Sequence, residues 1–362
     1  MKTIQIKRED RPTASRLNSQ LADGDTRFIY DCWYVAGRIN EFGRQLVERT
    51  LLGESVVFYR RTDEKPVALQ NRCPHRSFPL AQGALEGDNV RCGYHGLAFD
   101  SSGACVDVPT QNVIPPSLCI REYPVVERGP YVWIWMGKAD MADESLIPDT
   151  SWLWSPDWTF AEDYVSFNAN YVGLHENLLD LSHFTYLHPS TLGTPEYART
   201  PCEVDADGDR VRISRFVAEC DVPPIYEKTG IKGKMSRHTV SDFVTPALHH
   251  ASAVMRDLKE DRERRDFTIY ISHFITPATQ NSTHYWFAFA RDFALTNPEV
   301  TRYMGASALK AFREDIHALH EITRMYSLEP QAPSYEIHIK SDQAGVATRR
   351  VLRRLAEGNQ NV

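Results

Sequence analysis

The sequence predicts an α+β protein in which a small all-β domain precedes a larger domain with an antiparallel sheet flanked by helices. Short β-branched or aromatic segments, separated by Gly, Asp and Asn, run from Phe28 to about residue 140 and are typical of antiparallel strands. Long amphipathic segments appear only late, over 305–326 and 344–356. Since 362 residues fit about two ordinary domains, we expect one over 28–145 and another over 146–362.

Other segments follow in chain order. Residues 1–27 are polar and are expected to form an N-terminal arm, and the acidic, proline-containing stretch 138–150 is expected to link the two domains. Alternating patterns predict strands in the second domain over 211–222, 266–277 and 284–295. The charge run over 257–266 is expected to be a solvated loop or hairpin tip.

Composition and charge exclude several classes of protein. Asp and Glu total 48 against 41 Lys and Arg, and the net charge of −7 argues against nucleic-acid binding through phosphate contacts. No apolar run reaches the length of about 18 residues that a transmembrane helix needs, and the N-terminus lacks the apolar region of a secretory signal. Seven scattered cysteines do not form a disulfide framework. We expect a cytoplasmic protein without a membrane partner.

Two short Cys–His pairs lie close together in the first domain, each at the expected tip of a hairpin loop. One residue separates Cys73 from His75, two separate Cys92 from His95, and 16 residues lie between the pairs. Two thiolates and two imidazoles suit either a structural zinc ion or an iron–sulfur cluster. Zinc sites usually pair Cys with Cys or His with His, so one Cys and one His on each arm favour a [2Fe–2S] cluster.

A second group of polar residues lies among leucines in a segment predicted to be a helix over 172–187. Asn177, Asp180 and His183 recur every third residue, so such a helix places them on one face. His188 lies about 140° further round than His183, but the proline that follows ends the helix and lets His188 turn back. An amphipathic helix with a polar outer face is the alternative, but buried polar groups need partners and a metal ion supplies one.

Both clusters resemble those of one enzyme family. The sequences CPHR at 73–76 and CGYHG at 92–96 resemble the cluster motif of Rieske non-haem iron oxygenases, and the segment 177–188 resembles their mononuclear iron motif. The resemblance covers nearly all of residues 28–356 and is strongest to oxygenase (alpha) components of the vanillate O-demethylase and dicamba monooxygenase branch. It implies a Rieske domain over 28–145, a catalytic domain over 146–362, and Fe(II) held by two histidines and one carboxylate.

The resemblance makes His183 and His188 the histidine ligands, and places the carboxylate on a late helix. The helix predicted over 305–326 offers Glu314 and Asp315. Asp315 falls within an apolar stripe and needs compensation there, whereas Glu314 points about 160–200° away from that stripe. We therefore assign Asp315, with the loop residue Asp342 as the alternative. The stripe consists of Leu309, Phe312, Ile316 and Leu319.

Further roles are implied by the same resemblance. In the family, the aspartate at the position of Asp180 bridges a Rieske histidine of one subunit and an iron-binding histidine of the next, which implies a head-to-tail homotrimer. Asn177 belongs to the same catalytic motif. His249 and His273 stand at positions that line the substrate pocket, and Ala306 stands where a related demethylase has a pocket tryptophan.

The expected activity is monooxygenation of a small aromatic acid with O2, by O-demethylation or hydroxylation. A ring-dihydroxylating dioxygenase is the alternative, because the same motifs serve both reactions. An electron carrier without catalysis is the third possibility, against which His183, His188 and Asp315 argue. The chain has no GxGxxG stretch and no second ferredoxin motif, so electrons must come from a separate NAD(P)H-dependent reductase, either directly or through a ferredoxin.

Overall fold

The computed structural model describes residues 27–259, 266–328 and 337–358. The predicted arm lies outside these ranges except for Arg27, as does most of the charge run expected to be a loop. An all-β part comes first and a large antiparallel sheet with helices follows, so the predicted α+β class is confirmed. None of the helices in these ranges combines the length and apolar character needed to span a bilayer.

The N-terminal part of the described chain contains three small sheets. The first has the strand order β1 (Cys32–Arg38), β11 (Tyr131–Met136) and β10 (Val125–Arg128). The second has the order β2 (Val47–Leu51), β3 (Glu54–Arg60), β4 (Pro66–Gln70) and β9 (Glu122–Tyr123). The third has the order β5 (Ala84–Glu86), β6 (Asn89–Arg91), β7 (Ala98–Phe99) and β8 (Cys105–Asp107).

The unbroken apolar run YVWIWM forms strand β11. All its residues are buried, because its two faces contribute to different hydrophobic cores. One face, with Val132 and Ile134, packs inside the N-terminal part. The other face packs against the C-terminal part of the chain, where the rings of Trp133 and Phe274 form an edge-to-face pair with centroids 5.6 Å apart. The two parts of the chain therefore share a core.

The second part is built on a seven-stranded antiparallel sheet, counted over the described ranges. The predicted strands are confirmed, each with somewhat different ends. The strand order is β12 (Thr159–Phe167), β18 (Ser282–Arg291), β17 (Asp266–Thr279), β16 (Leu248–Asp257), β15 (Lys234–Thr245), β14 (Arg210–Asp221) and β13 (Glu203–Asp207).

Helices cover this sheet. Within the described residues they are α1 (Tyr171–Leu178), α2 (Phe184–Leu187), α3 (Pro195–Arg199), α4 (Pro298–Leu328) and α5 (Gln343–Gly358). Helix α4 begins before the predicted residue 305, because Asn297 accepts a hydrogen bond from Glu299 N at 3.0 Å and a proline occupies the first helical position. A Cβ at Gly305 would lie 2.7 Å from Ala161 Cβ, so glycine permits close packing of α4 on β12.

The single helix predicted over 172–187 was wrong. Helix α1 ends at Leu178 and α2 begins at Phe184, so Asn177, Asp180 and His183 do not share one helix face. Asp180 Oδ1 accepts a hydrogen bond from Ser182 N at 2.6 Å. This side-chain acceptor stabilises a turn in place of the helical hydrogen bond, which explains the break.

Candidate metal centres and substrate cavity

The two loops that carry the Cys–His pairs have the same backbone hydrogen bonds. Ser77 N donates to Cys73 O at 2.9 Å, and Gly96 N donates to Cys92 O at 3.1 Å. Ser77 and Gly96, each four residues after its cysteine, both have positive φ. Only the second loop is a hairpin tip as predicted, between β6 and β7, whereas the first connects β4 to a different sheet.

These loops bury the two cysteine sulfurs and expose the two histidine rings. Cys73 and Cys92 are each 2% exposed in an apolar core, whereas His75 and His95 are exposed with ring centroids 4.5 Å apart. Desolvation and the neighbouring charge of His95 lower the pKa of His75, which favours the neutral, ligating imidazole. Burial and the Cys92 sulfur raise the pKa of Cys73, so a cation is needed to stabilise its thiolate. The donor set fits a [2Fe–2S] cluster with buried sulfurs and surface imidazoles.

A second donor set forms where the break between α1 and α2 faces α4. His183, His188 and Asp315 bring one ligand atom each within 4.8 Å of one another. Asp315 Oδ1 lies 3.3 Å from Nε2 of His183 and 3.1 Å from Nε2 of His188. The break in the helix, and not a turn of His188 alone, lets both rings face one point. Two imidazoles and a carboxylate suit Fe(II) and leave positions open for O2.

Each of these histidines also meets a carboxylate on its other nitrogen. Nδ1 of His183 lies 3.6 Å from Asp180, and Nδ1 of His188 lies 2.8 Å from Glu314. Such carboxylates fix the orientation of the rings so that Nε2 faces the metal. Glu314 is half-buried, away from the apolar stripe as predicted, but its contact with His188 was not predicted. Only the position of Glu314 beside Asp315 hinted at this contact.

Asn177 completes the carboxylate's surroundings by donating to Asp315 Oδ1 at 2.9 Å. Burial opposes the charge of Asp315, but hydrogen bonds from His183 and then His188 hold its pKa well below the usual range. Burial alone lowers the pKa of His183, yet hydrogen bonds to Asp180 and Asp315 raise it to about 9. A metal ion at Nε2 would compete with a proton on His183, so metal binding there is expected to depend on pH.

A cavity extends from the three donors along the inner face of the large sheet. Its wall is mainly apolar, with polar side chains from β15, β16 and β17. The apolar lining includes Leu178, Leu181, Phe184, Leu192, Tyr226, Ile269, Ile271 and Phe312. The polar lining consists of Asn177, the three metal donors, Arg237, Thr239, Ser241, Ser252 and His273.

The two histidines predicted to contact substrate lie in different places. His273 lines the cavity, and its Nδ1 is 2.6 Å from the Tyr285 hydroxyl. His249 is fully buried outside the cavity lining, with Nε2 2.5 Å from Nδ1 of His175. Burial lowers the pKa of His273 to about 3, so its ring is neutral.

Two other positions from the sequence lie away from the donors. Asp342, the alternative ligand, accepts a hydrogen bond from Ile339 N at 2.8 Å and so caps a turn instead. Ala306 is exposed on the outer side of α4 and does not line the cavity. The cavity lining therefore gives no support to the pocket position that the resemblance implies for Ala306.

Family comparisons agree with both donor sets. Residues 32–124 match the Rieske [2Fe-2S] domain, and residues 167–358 match the vanillate O-demethylase oxygenase C-terminal domain. The chain belongs to the Rieske oxygenases of the vanillate O-demethylase family. This Rieske oxygenase is an oxidoreductase that uses a [2Fe–2S] cluster and a mononuclear iron, and the pure electron carrier is excluded.

Individual relatives cover most of this Rieske oxygenase. The toluene-4-sulfonate monooxygenase system iron-sulfur subunit of Comamonas testosteroni is 39% identical over 320 residues, covering 86% of this chain and 92% of that protein. A vanillate O-demethylase oxygenase subunit of Pseudomonas sp. (strain ATCC 19151) is 30% identical, covering 86% and 96%. The crystal structure of dicamba monooxygenase bound to 3,6-dichlorosalicylic acid has a TM-score of 0.87 at 27% identity, covering 93% and 100%.

Proposed function

We propose that this Rieske oxygenase is the oxygenase component of a multi-component system that monooxygenates a small aromatic acid. The observation that carries the proposal is the convergence of His183, His188 and Asp315 on one wall of a mainly apolar cavity. When bound, the iron activates O2 beside that cavity. The relatives named above are monooxygenase or demethylase components, which favours monooxygenation over ring dihydroxylation.

The roles of individual residues form part of the proposal. Cys73, His75, Cys92 and His95 hold the cluster, and His183, His188 and Asp315 hold the iron. Asn177 orients the Asp315 carboxylate, and His273 contacts substrate from the cavity wall. His249 has no support from the cavity lining, and we assign it a packing role with His175.

Electrons are proposed to enter from a separate NAD(P)H-dependent reductase at the exposed edge of His75 and His95. Tyr94, whose ring centroid lies 3.9 Å from that of His95, is 60% exposed and belongs to the same open edge. Asp180, whose side chain is 33% exposed, lies in a groove beside the iron site. A head-to-tail homotrimer in the cytoplasm, with the cluster edge of one subunit in the groove of the next, accounts for both exposed surfaces.

Turnover with a surrogate reductase tests the activity. We expect NADH-dependent oxygen uptake with members of a panel of methoxy- and methyl-substituted benzoates and benzenesulfonates. With ¹⁸O2, one labelled atom enters the products of each turnover, in the new hydroxyl group of a hydroxylated methyl substrate or in the formaldehyde that a methoxy substrate releases. Two labelled atoms in a dihydrodiol would overturn the monooxygenase proposal. An Asp315→Ala variant serves as the control for oxygen uptake that does not need the iron site.

Mixed oligomers test the head-to-tail arrangement. Cys92→Ser chains lack the cluster and Asp315→Ala chains lack the iron, so each homo-oligomer is expected to be inactive. Co-expression of the two with different tags is expected to restore activity in doubly purified oligomers, because a cluster on one chain serves an iron on the next. Inactive mixed oligomers would indicate electron transfer within one chain. The same variants mixed after separate purification control for subunit exchange.

A further inference from the structure

The inner face of β15 carries a row of three buried polar side chains. Arg237, Thr239 and Ser241 alternate along the strand, so they point to the same side of the sheet. They are 1%, 5% and 1% exposed, and all three line the cavity beside the iron site. Burying polar groups in a mainly apolar wall costs free energy unless they gain partners.

Each of these side chains has one polar atom without a hydrogen-bond partner within the described residues. Nε of Arg237, Oγ1 of Thr239 and Oγ of Ser241 have no hydrogen-bond partner there. Arg237 donates from its NH1 nitrogen to Leu192 O at 2.9 Å, yet a guanidinium carries five N–H donors. No carboxylate lies within ion-pair distance of Arg237 in the described chain, so the cavity contains a buried cation without a counter-ion.

Other buried arginines of the same sheet do not share this position. Arg215 donates to Leu181 O, Tyr197 O and the Cys202 sulfur, and it does not line the cavity. Both arginines stand over the ring of Tyr197, Arg215 at 4.5 Å and Arg237 at 4.6 Å, but Arg237 lines the cavity and also stands over the ring of Tyr226 at 5.2 Å. Ring faces hold a guanidinium in place without neutralising it. The charge thus stays available to a ligand in the cavity.

We infer that Arg237, assisted by Thr239 and Ser241, binds the anionic group of the substrate, a sulfonate or a carboxylate. A guanidinium and two hydroxyls supply the N–H and O–H donors that the oxygens of a carboxylate or sulfonate accept. With the anion held on β15, the rest of the ring lies against the apolar wall, toward His183, His188 and Asp315. This inference rests on the proposed function and names the residue that selects acids over neutral aromatics.

Equilibrium binding to the purified iron-loaded protein tests the inference, with calorimetry as the readout. The probes are toluene-4-sulfonate and 4-methylbenzoate, each compared with a neutral analogue of similar shape, methyl 4-tolyl sulfone and methyl 4-methylbenzoate. A charged hydrogen bond of about 1.5–3 kcal/mol corresponds to about 10- to 100-fold in Kd. We expect the wild type to prefer at least one anion by that factor, Arg237→Met to lose the preference, and Arg237→Lys to keep part of it.

Control variants separate binding from folding. Arg256→Met removes an exposed arginine from the neighbouring strand and is expected to leave the preference unchanged. The visible spectrum of the cluster and thermal unfolding report whether Arg237→Met is folded. If it is not, the wild-type preference and its reduction in Arg237→Lys decide the question.

The outcomes distinguish the inference from the proposed function. Equal binding of anionic and neutral probes by the wild type, or an unchanged preference in folded Arg237→Met, would overturn the role of Arg237. Oxygen uptake stimulated only by neutral aromatics would also overturn it while leaving the monooxygenase activity intact. If no aromatic compound stimulates oxygen uptake, the proposed function fails and the inference fails with it.

Discussion

The cluster loops expose their histidines, whereas the iron site buries them. His75 and His95 lie at the surface, while His188 is 1% exposed and His183 is mostly covered. Both iron-site histidines meet a carboxylate at Nδ1, but no carboxylate lies within ion-pair distance of His75 or His95 in the described chain. Exposed imidazoles suit a centre that exchanges electrons with partners. Buried, oriented imidazoles suit a centre that must control water and geometry around its metal.

Removing the cluster is expected to have the largest effect on activity. Cys92→Ser is expected to abolish NADH-dependent turnover, because electrons then have no route to the iron. Iron binding at the three-donor site should survive, since that site shares no residue with the loops. Loss of the visible cluster spectrum and metal analysis check this. Substantial turnover by a cluster-free variant would contradict the division of roles.

Asp180→Asn changes the carboxylate that contacts His183 Nδ1 and lies in the groove beside the iron site. We expect about 100-fold slower turnover with both metals still bound, because the amide orients His183 less well and, in the proposed head-to-tail oligomer, cannot accept a proton from the adjoining histidine. Stopped-flow reoxidation of the reduced cluster with substrate and O2 measures the affected step. Wild-type reoxidation in this variant would remove Asp180 from the electron path.

Glu314→Gln is the matched change on the other histidine. Glu314 contacts His188 Nδ1, but it does not line the groove that contains Asp180. We expect about 10-fold weaker iron binding, and near-normal cluster reoxidation once iron is saturating. An equal slowing of reoxidation in the two variants would mean that both carboxylates act only by orienting imidazoles.

The smallest expected effect is on the thermal stability of the protein from which iron has been removed. The pKa of His183 is raised from 6.5 to about 9 despite burial, by Asp180 and Asp315. A raised folded-state pKa stabilises the protein fully below 6.5 and loses that contribution as pH rises through about 9. The thermal midpoint of chelator-treated protein should therefore fall across this interval. Asp180→Asn should flatten the dependence, and a midpoint that rises with pH in the chelator-treated wild type would refute the assignment.

The difference between the two centres also explains what the sequence could predict. The cluster ligands lie within short loops whose spacing is local, so residue types alone suggested the metal. Asp315 was predictable because an acid on an apolar helix stripe stands out. Glu314 and the helix break at Asp180 were missed, because they depend on a tertiary contact and on one side-chain hydrogen bond. The sequence around Arg237 has no pattern that indicates a ligand-binding residue, since only the assembled sheet places it in the cavity.

Metal content tests the central claim most directly, namely that one chain carries two separate metal centres. The account predicts about three irons and about two acid-labile sulfides per wild-type chain. Asp315→Ala should lose about one iron while keeping its sulfide and its cluster spectrum. A wild type with only about two irons, or an Asp315→Ala variant that retains all its iron, would contradict the account.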